Sequence, residues 1–217
     1  MRLFIAIVPP PSALAELSAA VDQLRAEADP RYNGAVPVGD HALPGQADPV
    51  PSAAGQRLRW TSSGQWHLTL AFLGEVDDAV LAKLRPRLER AVARHPAQRL
   101  AIAGAGAFPT PRKARVLWAG LRADNRALGA LAASVAAAAR RAGAPSPDED
   151  RRLKPHLTLA RCRDTADLSS FTSALAGFAG QEWTADSVRL VRSYLSAAAP
   201  RYETAGEWPL RPEPAPA

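Results

Sequence analysis

Apolar positions alternate with period two in some stretches of the chain and recur every three to four residues in others, so strands and amphipathic helices are both expected. Residues 3–8 form an apolar run closed by Pro9, Pro10 and Pro11, which predicts a buried first strand. Ser12 can cap a helix over 13–28 that places Leu14, Leu17, Val21 and Leu24 on one face. The periodicity then disappears over 29–56, where Pro30, Gly34, Pro37, Gly39, Pro44, Gly45, Pro49, Pro51 and Gly55 predict a long disordered insertion carrying a solvated His41. Strands are expected at 58–61 and 66–73, the second stopped by Gly74. Asp77 or Asp78 opens a helix with Val80, Leu81, Leu84, Leu88 and Val92 as its apolar stripe, and Pro86 predicts a kink or a late start. Strands at 99–103 and 116–121 are expected to be joined by a Gly, Pro and basic loop over 104–115. An Ala-rich helix over 125–142 ends at Gly143, and a loop through 145–150 leads to a strand over 156–161. A short helix near 167–176 and strands around 188–195 and 202–208 complete the pattern, with a disordered tail over 211–217.

At 217 residues, 47% hydrophobic and 22% charged, the chain fits one globular unit or two small coupled lobes over residues 1–210. Net charge +6 favours an anionic partner, but only weakly: all but Lys83, Lys113 and Lys154 of the 27 basic residues are Arg, which reads partly as codon bias. A single cysteine, Cys162, excludes an intramolecular disulfide and a thiolate-rich zinc site, and fits a reducing cytoplasm. The amino-terminal apolar run is too short for a signal-peptide core, and no apolar stretch approaches the roughly 20 residues that span a bilayer.

The chemistry lies in a repeat. His67-Leu68-Thr69-Leu70-Ala71 recurs as His156-Leu157-Thr158-Leu159-Ala160, 89 positions later (67 to 156). Strand alternation puts each His and Thr on one face and both Leu on the other. Two strands built to one plan predict two similar lobes whose polar faces line a shared cleft. Imidazoles titrate near neutrality, so a facing pair can supply one neutral base and one protonated acid, as phosphoester cleavage requires. The threonine hydroxyls can donate to the phosphoryl oxygens as charge develops. Symmetry leaves open which histidine plays which part.

These residues resemble the two-histidine (2H) phosphoesterases, defined by paired His-x-Thr-x motifs, and within them the RNA 2',3'-cyclic phosphodiesterases, also called 2'-5' RNA ligase-like proteins. Arg2-Leu3-Phe4-Ile5-Ala6 is similar to that family's opening strand, and Leu58-Arg59-Trp60 with the stretch from Trp66 to Gly74 to its first motif. Ala107-Phe108-Pro109 through Gly120 matches its middle segment, Lys154 to Arg161 its second motif, and Trp208-Pro209-Leu210 its ending. The segment over 29–56 departs from the pattern, read either as an inserted disordered loop or as a flap over the cleft. The resemblance implies an α+β fold of two similar lobes, with antiparallel sheets and outer helices around a central cleft. It also implies hydrolysis of an RNA 2',3'-cyclic phosphate to a 2'-phosphate, with His67 as proton donor and His156 as proton acceptor. The expected partner is RNA with such an end, tRNA fragments included, or a cyclic nucleotide, acted on by a monomer that uses no cofactor and no metal. Rivals are a 2'-5' RNA ligase, a small cyclic-nucleotide phosphodiesterase, and a non-catalytic nucleotide-binding module.

Thr69 and Thr158 are the expected phosphate-binding residues. Lys154, two positions before His156, shares its face and is either a phosphate partner or a solvated charge; Gln65 has the same place before His67. Arg161 matches the family pattern, yet its odd offset of five from His156 turns it away from the cleft unless the strand bulges first. Arg112, Lys113 and Arg115 are loop charges. Trp60 and Trp66 are expected in the core, and Cys162 as an inert thiol.

Overall fold

A continuous apolar strand needs cover on both faces, and the first strand has it: every residue from Leu3 to Ile7 is buried. In the computed structural model, which describes residues 1–28, 50–51, 57–145, 153–194 and 200–212, the elements follow in this order. They are β1 (Arg2–Ile7), α1 (Pro11–Ala28), β2 (Val50–Pro51), β3 (Arg57–Trp60), a 3-10 turn at Ser63–Gln65, β4 (Leu68–Glu75), α2 (Asp78–Val92), β5 (Gln98–Thr110) and β6 (Lys113–Ala123). Then come α3 (Asn125–Ala142), β7 (His156–Ala166), α4 (Ser169–Ala174), β8 (Ala179–Ala185), β9 (Ser187–Tyr194) and β10 (Arg201–Pro209).

The strands form two antiparallel sheets, of four strands in the order β10-β9-β1-β4 and of six in the order β2-β3-β7-β6-β5-β8. Leu3, Ile5, Leu68 and Leu70 of the first pack under Leu84 and Leu88 of α2 and Leu131 and Val135 of α3. Leu117, Leu157 and Leu159 of the second pack under Leu17 and Val21 of α1 and Phe171 of α4. Burying each such side chain contributes about 1.5–3 kcal/mol. α1 leaves the first sheet and covers the second, whereas α3 leaves the second and covers the first, so the chain itself ties the lobes together. The result is the expected α+β architecture, two sheets with outer helices around a cleft. Among the described residues, no helix is long and apolar enough to cross a membrane.

Asp77 caps α2 by accepting from the Val80 N–H at 2.7 Å, and Asp124 caps α3 by accepting from Arg126 and Ala127. α2 runs unbroken through Pro86, where the expected alternative was a kink or a late start. The carbonyl that proline leaves without a donor belongs to exposed Ala82, where water can bond it.

The expected loop over 104–115 is instead the distal half of a long hairpin, β5 and β6, with its turn at Pro111 and Arg112. Its glycines serve the sheet: Gly104 has φ +64° at a bulge, and a Cβ on Gly106 would fall inside the Trp118 indole. β8 had no sequence signal. The expected insertion over 29–56, with His41, lies outside the described residues except for Val50–Pro51, which pair with β3, and Arg57 follows it directly. Arg211, placed in the expected tail, belongs to the fold, exchanging backbone hydrogen bonds with His95 and Ala97.

Candidate active site

The second pentapeptide opens β7 and the first enters β4 one residue after His67, one in each sheet. All four leucines are buried, while His67, Thr69, His156 and Thr158 are half-buried on the opposite face. Each imidazole is oriented in the same way. His67 Nδ1 lies 2.7 Å from the Gln65 carbonyl, and His156 Nδ1 lies 2.6 Å from the Lys154 carbonyl. A carbonyl only accepts, so both Nδ1 atoms carry the hydrogen, and in each neutral ring Nε2 is the nitrogen that can take a proton.

The ring walls differ. Phe4 stacks on His67 with centroids 4.6 Å apart, and Tyr202 meets it edge-on at 5.3 Å. Phe108 meets His156 edge-on at 5.0 Å, with Trp118 at 6.2 Å. Burial pushes the His67 pKa down to about 4 against the pull of its Gln65 hydrogen bond; the charges of His156 and Arg161 press it the same way. Both residues belong to β7 in the other sheet, so the two motif strands face each other within electrostatic reach.

Arg161 reaches this position through a bulge. Leu117 and Trp118 of β6 pair with Ala160 and Thr158 of β7, so Leu159 is an extra residue, and Leu159 and Ala160 are buried consecutively. The parity shift puts Arg161 on the face of His156 and Thr158, and its charge also bears on Tyr202. The odd offset is thus the in-cleft offset. β4 repeats the device: Ile5 and Ala6 pair with Ala71 and Thr69, leaving Leu70 extra. Its fifth-position residue is Phe72, 44% exposed, the one exposed large hydrophobic side chain among the described residues. Sequence reasoning missed Phe72, although it stands five residues after His67 as Arg161 does after His156. Phe4, Tyr202, Phe108 and Trp118 were also missed as ring walls.

Lys154 is exposed, with its Nζ 5.7 Å from the Phe108 ring centroid. Gln65 is not its counterpart in the cleft, because its amide donates to the Pro200 carbonyl and accepts from the Ser62 N–H. Trp60 and Trp66 are core residues, 5% and 3% exposed. Arg112 lies in the hairpin turn and Lys113 opens β6 directly after it, and the Arg112 charge bears on Asp167. Burial raises the Cys162 thiol pKa, which keeps it protonated. Among the described residues, no three His, Cys, Asp or Glu side chains gather as metal ligands.

The sequence model of the 2'-5' RNA ligase superfamily matches residues 56–196. An RNA 2',3'-cyclic phosphodiesterase of Aeropyrum pernix is 31% identical over 153 residues, 69% of this chain and 85% of the relative. Among solved structures, TT0787 of Thermus thermophilus superposes with a TM-score of 0.66 at 26% identity, covering 98% of this chain and all of that one. LigT of E. coli in its apo form gives 0.65 at 25% identity, covering 97% of each.

Proposed function

Since the chain belongs to the 2'-5' RNA ligase superfamily, we propose that it is an RNA 2',3'-cyclic phosphodiesterase working by two-histidine acid and base catalysis. The observation that carries this reading is the matched pair of Nδ1–H to carbonyl bonds, which fixes the same tautomer in both imidazoles and makes Nε2 the proton-transferring nitrogen of each. In the proposed reaction His156 Nε2 takes a proton from water as its oxygen attacks phosphorus. The bond from phosphorus to the 3'-oxygen breaks, and His67 Nε2–H gives its proton to that oxygen, leaving a 2'-phosphate. Thr69 and Thr158 donate to the phosphoryl oxygens, and Arg161 and Lys154 offset their charge. Phe72 offers its exposed ring to a base of the RNA end.

With His67 held near 4, its donor role depends on the substrate. A bound phosphodiester carries a negative charge that opposes the positive charges of His156 and Arg161, and so favours the imidazolium form. The two imidazoles supply both proton transfers, so the chemistry has no step that calls for a Lewis acid. A single cysteine with a protonated thiol supports a cytoplasmic setting. The two lobes act as one catalytic domain over 1–210, with 29–56 as an insertion that precedes the family match beginning at residue 56. Incubation with RNA ending in a 2',3'-cyclic phosphate tests the reading. Ring opening is expected, and a cyclic end left intact by folded protein would remove it.

A further inference from the structure

Thr61, the residue after β3, links the two motifs. Its backbone N–H donates to the Leu159 carbonyl at 2.8 Å, and its hydroxyl lies 2.7 Å from the Thr158 carbonyl and 2.8 Å from that of Leu159. The buried indole of Trp66, next to His67, donates its Nε1–H to the same hydroxyl at 2.9 Å. Successive carbonyls of a regular strand point to opposite edges, so a single hydroxyl cannot serve two of them. Here it reaches both because Leu159 is the extra residue of the bulge. The indole is a donor only and fills the acceptor side of the hydroxyl, which turns the hydroxyl proton toward the carbonyl pair.

We propose that Thr61 is a positioning residue: its hydroxyl fixes the Leu159 bulge that turns Arg161 into the cleft, and its bond from Trp66 keeps that bulge in step with His67. The kinetic consequence rests on the proposed phosphodiesterase activity, whereas the structural one does not. Thr61→Val keeps the size and the backbone bond of Thr61 but leaves both carbonyls and the indole without their shared partner. Thr61→Ser restores the hydroxyl.

The test compares wild type, Thr61→Val, Thr61→Ser, Arg161→Ala and the Thr61→Val/Arg161→Ala double variant. With RNA bearing a 2',3'-cyclic phosphate, Thr61→Val is expected to raise KM about tenfold with kcat within about twofold, and Thr61→Ser to return both to near wild type. In the Arg161→Ala background, Thr61→Val should add little, because its effect passes through that guanidinium. Titration with inorganic phosphate, followed by NMR of the Arg161 Nε–H and the Trp66 indole N–H, reads the same link without turnover. Thr61→Val should weaken phosphate binding about tenfold, shift the indole signal and speed amide exchange at Arg161 and Cys162. Wild-type phosphate binding and exchange in Thr61→Val, or full additivity with Arg161→Ala, would overturn the proposal. A wild type that binds phosphate but leaves RNA ends intact, with binding still weakened by Thr61→Val, would remove the proposed activity and keep the positioning role. Should Thr61→Val not fold, Thr61→Ala provides the hydroxyl-free variant for the same comparisons.

Discussion

The phenyl ring of Phe4 stacks on the imidazole of His67, with centroids 4.6 Å apart and planes 26° from parallel. Phe4 is 4% exposed, so this face of the imidazole sees hydrocarbon in place of water. That contact contributes to the burial that disfavours the imidazolium.

The His67 pKa is therefore expected near 4 by NMR titration of the free protein, to rise when inorganic phosphate is added, and to rise in Phe4→Ala as water enters. The sign carries into stability. His67 titrates lower in the folded protein than its ordinary 6.5, so between pH 6.5 and about 4 the unfolded chain takes up a proton that the folded one refuses. The stability it contributes is present above pH 6.5 and is lost as pH falls through that window, by on the order of 3 kcal/mol. Denaturant melts across that range should show the loss in wild type and a reduced loss in His67→Gln.

Arg161 and Lys154 should separate in size of effect. Arg161, turned into the cleft by the bulge, presents a planar fork to a phosphate, so Arg161→Ala is expected to raise KM by about 10- to 100-fold and Arg161→Lys to recover only part of it. Lys154 is exposed beside Phe108, and Lys154→Ala should cost no more than about fivefold. Steady-state kinetics on one RNA substrate decides between this order and its reverse.

Phe72→Ala should weaken binding of RNA ends by about tenfold, because base stacking on an aromatic ring contributes about 1–3 kcal/mol. Its effect on the melting temperature should be small, since the ring is 44% exposed. Fluorescence anisotropy of a labelled RNA, beside a thermal melt, separates a binding role from a packing one.

Gly106→Val carries the opposite signature. Any Cβ at that position meets the Trp118 ring, so the variant is expected to lose about 1–3 kcal/mol of stability in denaturant melts. Activity should fall with it, because Trp118 also stands beside His156.

The histidine and threonine positions were legible in sequence because alternation over a pentapeptide fixes their face, and their duplication fixes the two-lobe plan. α1, α2 and α3 were legible from their apolar spacing, helped by Asp77 as a start signal and Gly143 as a stop, whereas the Asp124 cap of α3 emerges only in the structure. The face of Arg161 was not, because the bulge at Leu159 is set by pairing with β6 and β3, and strict alternation gives the wrong parity. The distal half of β5 was hidden for a similar reason: Gly104 and Gly106 read as loop residues, while their use is a bulge and room for Trp118. β8 is an edge strand, exposed at most positions, so it carries little apolar signal.

In the proposed reaction two imidazoles open a 2',3'-cyclic phosphate by expelling the 3'-oxygen. Its most direct measurement is phosphorus NMR of the product from RNA ending in a 2',3'-cyclic phosphate, incubated with wild type, His67→Ala and His156→Ala, each with and without EDTA. Wild type is expected to yield the 2'-phosphate whether or not EDTA is present, and each folded histidine variant to lose at least about 1000-fold in rate. A 3'-phosphate product, a wild-type activity abolished by the chelator, or full turnover by either variant would rule out this two-histidine reaction.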